Sequence, residues 1–232
     1  MTQAITRLFD THEDAAGAVR ALEAAGVHHD SISLISNNTD GRHDADNDAG
    51  EGAAKGATTG GLIGGGAGLL AGLGMLAIPG LGPVVAAGWL ASTAVGALVG
   101  AVAGGATGGL LGTLKDAGHS DEEANVYAEG VRRGGSLVSV KSDRPEDIAT
   151  AETILNGRGV GAAERGAIYR ESGWSRFDET APPYSADEIA AERGRYAESR
   201  SFLDRADHDP IAPGDDLATP PQQRTDPTLR NR

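Results

Sequence analysis

Few groups in this sequence have residue types and spacing that could do chemistry. Among six dispersed histidines, His28 and His29 are adjacent, in a turn, where neighbouring side chains usually diverge rather than share a metal. Asp44, Asp46 and Asp48 with Gly50 have the outline of a calcium loop. The glycine is one position late, however, and Lys55 stands where the closing bidentate Glu belongs. Gly66-Ala67-Gly68-Leu69-Leu70-Ala71 matches the loose GxGxxA dinucleotide pattern, yet no strand is expected to lead into it and no acidic residue follows about twenty positions later. There is no phosphate-loop GK[ST] and no GxSxG elbow, and the absence of Cys removes thiol nucleophiles, disulfides and thiolate metal sites together. The sequence therefore implies no catalytic residue, no cofactor, no metal and no identified small-molecule substrate: a non-enzymatic protein.

What the sequence does carry is a register of small residues. Gly56, Gly60, Gly64, Gly68 and Gly72 recur every fourth position, as do Gly88, Ser92, Gly96, Gly100, Gly104, Gly108 and Gly112. Pro79, Gly80, Gly82 and Pro83 break the chain between the two runs, with Pro83 placed for the first turn of a second helix. From Gly56 to Leu114 there is no charge at all, and Lys55 and Lys115 stand at the ends. Six interior glycines would cost a water-exposed helix roughly 6 kcal/mol against alanine, so close backbone packing must offset them. The spacing predicts a glycine-zipper helical hairpin over 56–115. Four residues turn about 400°, so the stripe drifts about 40° per step and faces more than one neighbour, which points to a homo-oligomer.

As helices, Gly60–Ile78 and Pro83–Ala103 would be about 28 and 31 Å long, close to the roughly 30 Å of a bilayer core. Membrane lipid is accordingly an expected partner. The expected location is the inner membrane with a cytoplasmic domain, and the alternative is a cytoplasmic protein. Trp89 would serve as an interfacial anchor, although strongly apolar residues are sparser than in an ordinary span.

The elements that must carry this hairpin form two halves. Ala4 to Phe9 reads as a strand, Asp10-Thr11 as a helix N-cap, Ala15, Val19 and Leu22 as a buried helical stripe, Gly26 as the helix stop, and Ser31 to Ser36 as a second strand. Residues 1–36 are thus the first βαβ half of a domain, and 37–55 an acidic flexible linker. In 116–170, Ser120 to Glu123 is a capping box opening a helix that Gly134-Gly135 closes. A strand through Leu137, Val138 and Val140, a helix from Pro145 with Ile148, Ala151 and Leu155 inward, and a last strand over Ala162 to Tyr169 complete that half. Without the insertion and its trailing helix the order is that of a ferredoxin-like α+β sheet with two helices on one face. Residues 171–232 hold seven of the ten prolines and read as a largely disordered tail, with one short helix over 185–200 capped by Ser185 and Glu188.

A net charge of −13 with no Lys/Arg cluster argues against nucleic acid. With 35 glycines and only 4% aromatic residues, volume for a large conventional core is scarce, so small side chains must be useful here. The N-terminus has no basic region followed by an apolar stretch, and no secretory signal is expected.

Thr6-Arg7-Leu8-Phe9-Asp10 leading into the Ala15 to Gly26 helix, the glycine segment, and Tyr127-Ala128-Glu129-Gly130-Val131-Arg132-Arg133-Gly134-Gly135 with the strand to Val140 resemble the heat-induced, general stress protein 17M-like domain family of bacteria. The resemblance covers about Ala4 to Tyr169, and GVRRGG followed by a strand is its most specific part. Gly173-Trp174 and Ala181-Pro182-Pro183-Tyr184 also resemble members with this architecture. It implies an association with bacterial stress response and an undefined molecular activity, and it brings no catalytic residues to this chain. The alternative is a soluble ligand- or protein-binding regulatory module in which the hairpin is a packing element. Trp174 and Tyr184 read either as short anchors for a partner or as idle aromatics in disorder.

Overall fold

The structure, a computed structural model, describes residues 3–41, 74–93 and 109–196. Five antiparallel strands form one sheet in the order β1-β5-β2-β4-β3: β1 (Gln3–Phe9), β2 (Ile32–Asn37), β3 (Gly74–Ile78), β4 (Gly82–Gly88) and β5 (Ser136–Ser142). Helix α1 (His12–Ala24) starts where Thr11 accepts a hydrogen bond from Asp14 N and ends at Gly26, whose φ of 90° reverses the chain. Helix α3 (Asp121–Arg132) opens with the Ser120/Glu123 capping box in full, and α4 (Pro145–Asn156) has Pro145 in its first turn. Helix α2 (Gly109–Asp116) precedes α3, and α5 (Ala162–Glu171) follows α4.

Both faces of the sheet are covered, where helices on one face are expected. Phe9, Leu34, Val138, Val140, Val85 and Ala87 pack beneath α1 and α4 through Ala15, Val19, Leu22, Ala151 and Leu155. On the opposite face Leu8, Leu137, Ile35 and Ala86 lie side by side in register and pack against α2, α3 and α5 through Leu110, Leu114, Tyr127, Val131 and Tyr169. Alternation along the strands drives this division, because successive side chains point to opposite faces.

The main departure from expectation lies in the insertion. Residues 74–88 are not the facing ends of two helical arms but a β-hairpin, with Leu81 N bonded to Ile78 O across its turn. Pro79, Gly80, Gly82 and Pro83 do form the turn, but between strands. The physical reason is visible in β2. All six of its residues are buried, so its backbone needs partners on both sides: β5 supplies one and β4 the other. Ile78, Leu81, Val84 and Val85 are core residues of the sheet, so neither Gly60–Ile78 nor Pro83–Ala103 is a continuous helix.

Gly88 is likewise not a zipper position. It ends β4 with a φ of 81°, and a Cβ there would overlap Ile32 O on the neighbouring strand. Ser92 lies in a short helical turn over 89–93, its hydroxyl bonded to Trp89 O, and Gly112 lies in α2. Gly56, Gly60, Gly64, Gly68, Gly72, Gly96, Gly100, Gly104 and Gly108 lie outside the described residues, as do Asp44, Asp46, Asp48 and the GxGxxA stretch.

Two further expectations change. Residues 162–169 are helix α5 rather than a strand, in keeping with their Ala, Glu and Arg content. Only Val160 pairs, in a single bridge to Leu8 on the outer side of β1. Residues 172–196 are not loose either, and the rest of the expected disordered tail, 197–232, lies outside the described residues. Residues 172–185 run as a strap across the α2/α3 side into a helix, α6 (186–196), which carries the capping box expected at Ser185 and Glu188. The start of the expected linker is also ordered: Asn38 is buried with its N–H on Pro83 O, and Asp40 pairs with Arg193.

Candidate functional site

The densest set of charged and aromatic side chains among the described residues lies where α6 meets the Glu129 to Gly135 passage. Strand β5 begins immediately after that passage, so Gly134, with a φ of 94°, must turn the chain sharply from α3 into the sheet. A Cβ on Gly134 would overlap Cγ2 of Ile189, the fully buried anchor of α6. GVRRGG is therefore a docking groove whose floor is bare backbone.

Around that anchor, guanidinium groups and carboxylates alternate. Arg133 donates to Glu129 at 2.7 Å and lies 3.5 Å from Glu192. Arg193 pairs with Asp40 at 2.8 Å and donates to Gly134 O at 2.9 Å, while Arg165 of α5 pairs with Asp10 at 2.5 Å. Arg132 reaches Pro182 O at 3.0 Å and lies 3.5 Å from Glu129. Arg133 stacks over Tyr169 and Arg165 over Tyr196, each 4.4 Å from the ring centroid, and Tyr196 donates to Glu192 at 2.8 Å. Tyr184 sits 5.1 Å from the Arg132 guanidinium. Trp174 meets Tyr169 edge to face. Both aromatics that the sequence leaves undecided thus pack within the chain.

The electrostatics are those of a closed network. Burial disfavours charge on Arg133, but its hydrogen bond to Glu129 and the field of Glu129, Tyr184 and Glu192 outweigh it and raise its pKa. Arg165 is raised in the same way, with Asp10 overcoming burial. Burial holds the Tyr169 phenol well above its ordinary value, and burial together with Glu192 pushes Tyr196 up to about 12. These guanidiniums stay charged and these phenols protonated at neutral pH, so none of them is poised for proton transfer. The cavity they enclose is about 10 Å³, room for a single water and too small for a substrate. Chemically the arrangement is a clamp.

A second polar group crosses the sheet. Thr6, Ser139, Ser33 and Gly88 are paired in register across β1, β5, β2 and β4. Thr6 Oγ1 lies 2.8 Å from Ser139 Oγ and 2.7 Å from His119 Nε2, and Glu123 stands 4.0 Å from the other ring nitrogen. The order hydroxyl, imidazole, carboxylate has the form of a hydrolytic triad, but both hydroxyls are fully buried and no substrate can reach them. Tyr127 OH donates to Thr6 O at 2.8 Å and closes the group from α3. Burial lowers the His119 pKa, Glu123 opposes that and Arg7 reinforces it, so the ring is held neutral as a hydrogen-bonding tie.

Sequence reasoning misses both groups, because their members come from five or more elements. The GVRRGG passage is the one visible signal for the first. At the opposite end of β2, the structure brings the side chains of His28 and His29, which the sequence reading keeps apart, together with that of Asp30.

No protein-family model matches this chain, and neither a curated protein nor a solved structure is similar to it.

Proposed function

We propose that this is a non-enzymatic protein that works by self-assembly, with the clamped α+β domain as a rigid carrier for the glycine-registered segments 56–72 and 96–108. The observation that carries this reading is the placement of the β3-β4 hairpin. Gly74 pairs with Ala86, so the chain enters β3 and leaves β4 at one end of the sheet, on neighbouring strands about 4.8 Å apart. The chain that carries the first glycine run thus enters the domain beside the point where the chain leading to the second run leaves it. Such runs gain stability only through close backbone contact, which neighbouring copies supply.

The order β1-β5-β2 with intervening α1 and α4 fits a ferredoxin-like core, its fourth strand reduced to the Val160 bridge and its free side extended by the hairpin. The resemblance to the general stress protein 17M-like family supports a role in bacterial stress response. Assembly is preferred to an inner-membrane hairpin because the turn at Pro79 to Pro83 packs under the strap, with Phe177 beside Gly80 and Pro183 beside Gly82, and does not lie at the far end of two spans. No helix among the described residues is long and apolar enough to cross a membrane.

Light scattering on the full chain eluting from a sizing column in detergent-free buffer tests the reading. It predicts a defined oligomer, and Gly100→Leu should shift it toward monomer with an unchanged circular dichroism spectrum. A monomeric wild type, or an oligomer indifferent to Gly100→Leu, contradicts it.

A further inference from the structure

We propose that His28, His29 and Asp30 form a surface binding site for a divalent transition metal of the Zn2+, Ni2+ or Cu2+ class. The three residues follow α1 on a short turn that leads directly into β2. That turn is fixed at both ends: Val27 and Ile32 are buried in the core, Val27 N bonds Leu22 O, and Ser31 N bonds His28 O at 2.9 Å. The ligand-bearing backbone is thus held in place before any metal arrives.

The two imidazoles do not diverge. Their centroids lie 4.6 Å apart with the planes inclined by 30°, and the Asp30 carboxylate touches both rings. Its Oδ2 lies 3.3 Å from His28 Nδ1 and its Oδ1 3.0 Å from His29 Nε2, and one donor atom from each residue falls within 4.8 Å of the others. Tetrahedral zinc with bonds of about 2.0–2.1 Å needs donors roughly 3.4 Å apart, so small side-chain rotations complete the set.

The Asp30 N–H donates to His28 Nδ1 at 3.4 Å, which marks that nitrogen as a lone-pair acceptor. Asp30 Oδ2 faces the same nitrogen at 3.3 Å, so a cation bound there would have both atoms within reach. The long N–H contact is weak and yields its lone pair at little cost. Two imidazoles and one carboxylate select borderline metals over Ca2+ and Mg2+, which favour all-oxygen sets, and the absence of thiolate disfavours Cu(I). Exposure leaves the remaining coordination positions to water.

The test is calorimetric titration of metal-stripped full-length protein with Zn2+, repeated with Ni2+. The proposal expects saturable binding at one equivalent per chain, undisturbed by excess Ca2+. His28→Gln, His29→Gln and Asp30→Asn should each weaken it by about tenfold or more, whereas Asp44→Asn with Asp46→Asn should leave it unchanged. Because the three side chains are solvent-facing, an unaltered circular dichroism spectrum verifies that the variants fold. Absence of saturable Zn2+ and Ni2+ binding, binding that persists in the His28→Gln/His29→Gln double variant, or displacement by Ca2+ would overturn the proposal.

Discussion

His119 shows how a single side chain couples this fold to acidity. Its folded pKa is depressed below the ordinary 6.5, chiefly by burial, so above that value the ring is neutral in both folded and unfolded chains. As pH falls through 6.5 the unfolded chain takes up a proton that the folded one resists, so the stability tied to His119 is lost below that point. Urea denaturation between pH 7.5 and 5.5 should show wild-type stability declining with acid. His119→Asn should be less stable at pH 7.5, having lost the tie to Thr6, but should show a shallower decline. Equal slopes for the two proteins would remove His119 as the source. The triad-like order of Thr6, His119 and Glu123 makes no difference to this expectation, because it concerns proton binding and not reaction.

At the scale of elements, α6 and the strap define how the domain is closed. Helix α6 rests on Gly134, where a methyl group would be forced into Ile189 and onto a backbone with φ of 94°. Gly134→Ala should therefore destabilise the domain by about 1–3 kcal/mol and loosen α6 first. Amide exchange should show residues 186–196 losing protection ahead of β2 and β5. Gly194, within α6 itself, has open space where a Cβ would go, so Gly194→Ala should be neutral or stabilise by up to about 1 kcal/mol. If both variants behave alike, the docking groove is misassigned.

The local signals for these elements were legible before the structure. Thr11, Gly26, the Ser120 and Ser185 capping boxes and Pro145 each mark an end that the structure places within a residue or two. What was not legible depended on partners distant in sequence. The four-residue glycine period reads as helix, and it took the unpaired flank of a fully buried β2 to make strands of 74–88. Alternation in Val84 to Gly88 is masked by the small residues Ala86 and Ala87, which fit a pleated surface as readily as a helix. Similarly, Arg133, Glu192, Arg165 and Asp10 lie on four separate segments, and no spacing rule joins them. Prolines and mixed charge in 172–196 signalled disorder, although Trp174, Phe177 and Ile189 were there to be buried.

For the whole molecule, the proposal assigns closed packing to the domain and association to the glycine-registered runs. The interior clamp is neutralised within itself, with Glu129, Glu192, Asp10 and Asp40 facing Arg132, Arg133, Arg193 and Arg165. The chain as a whole carries a net charge of −13, which sets copies of it against one another. On the proposed reading association is confined to the uncharged segments, and its geometry should follow their period. The absence of native cysteine makes that period directly measurable. Single-cysteine chains at each position from Gly96 to Gly100 can be oxidised with diamide and the disulfide-linked dimer quantified. Self-assembly through the glycine register predicts strong crosslinking at Gly96→Cys and Gly100→Cys with a minimum near Leu98→Cys; uniform crosslinking across the five positions, or none, would contradict it.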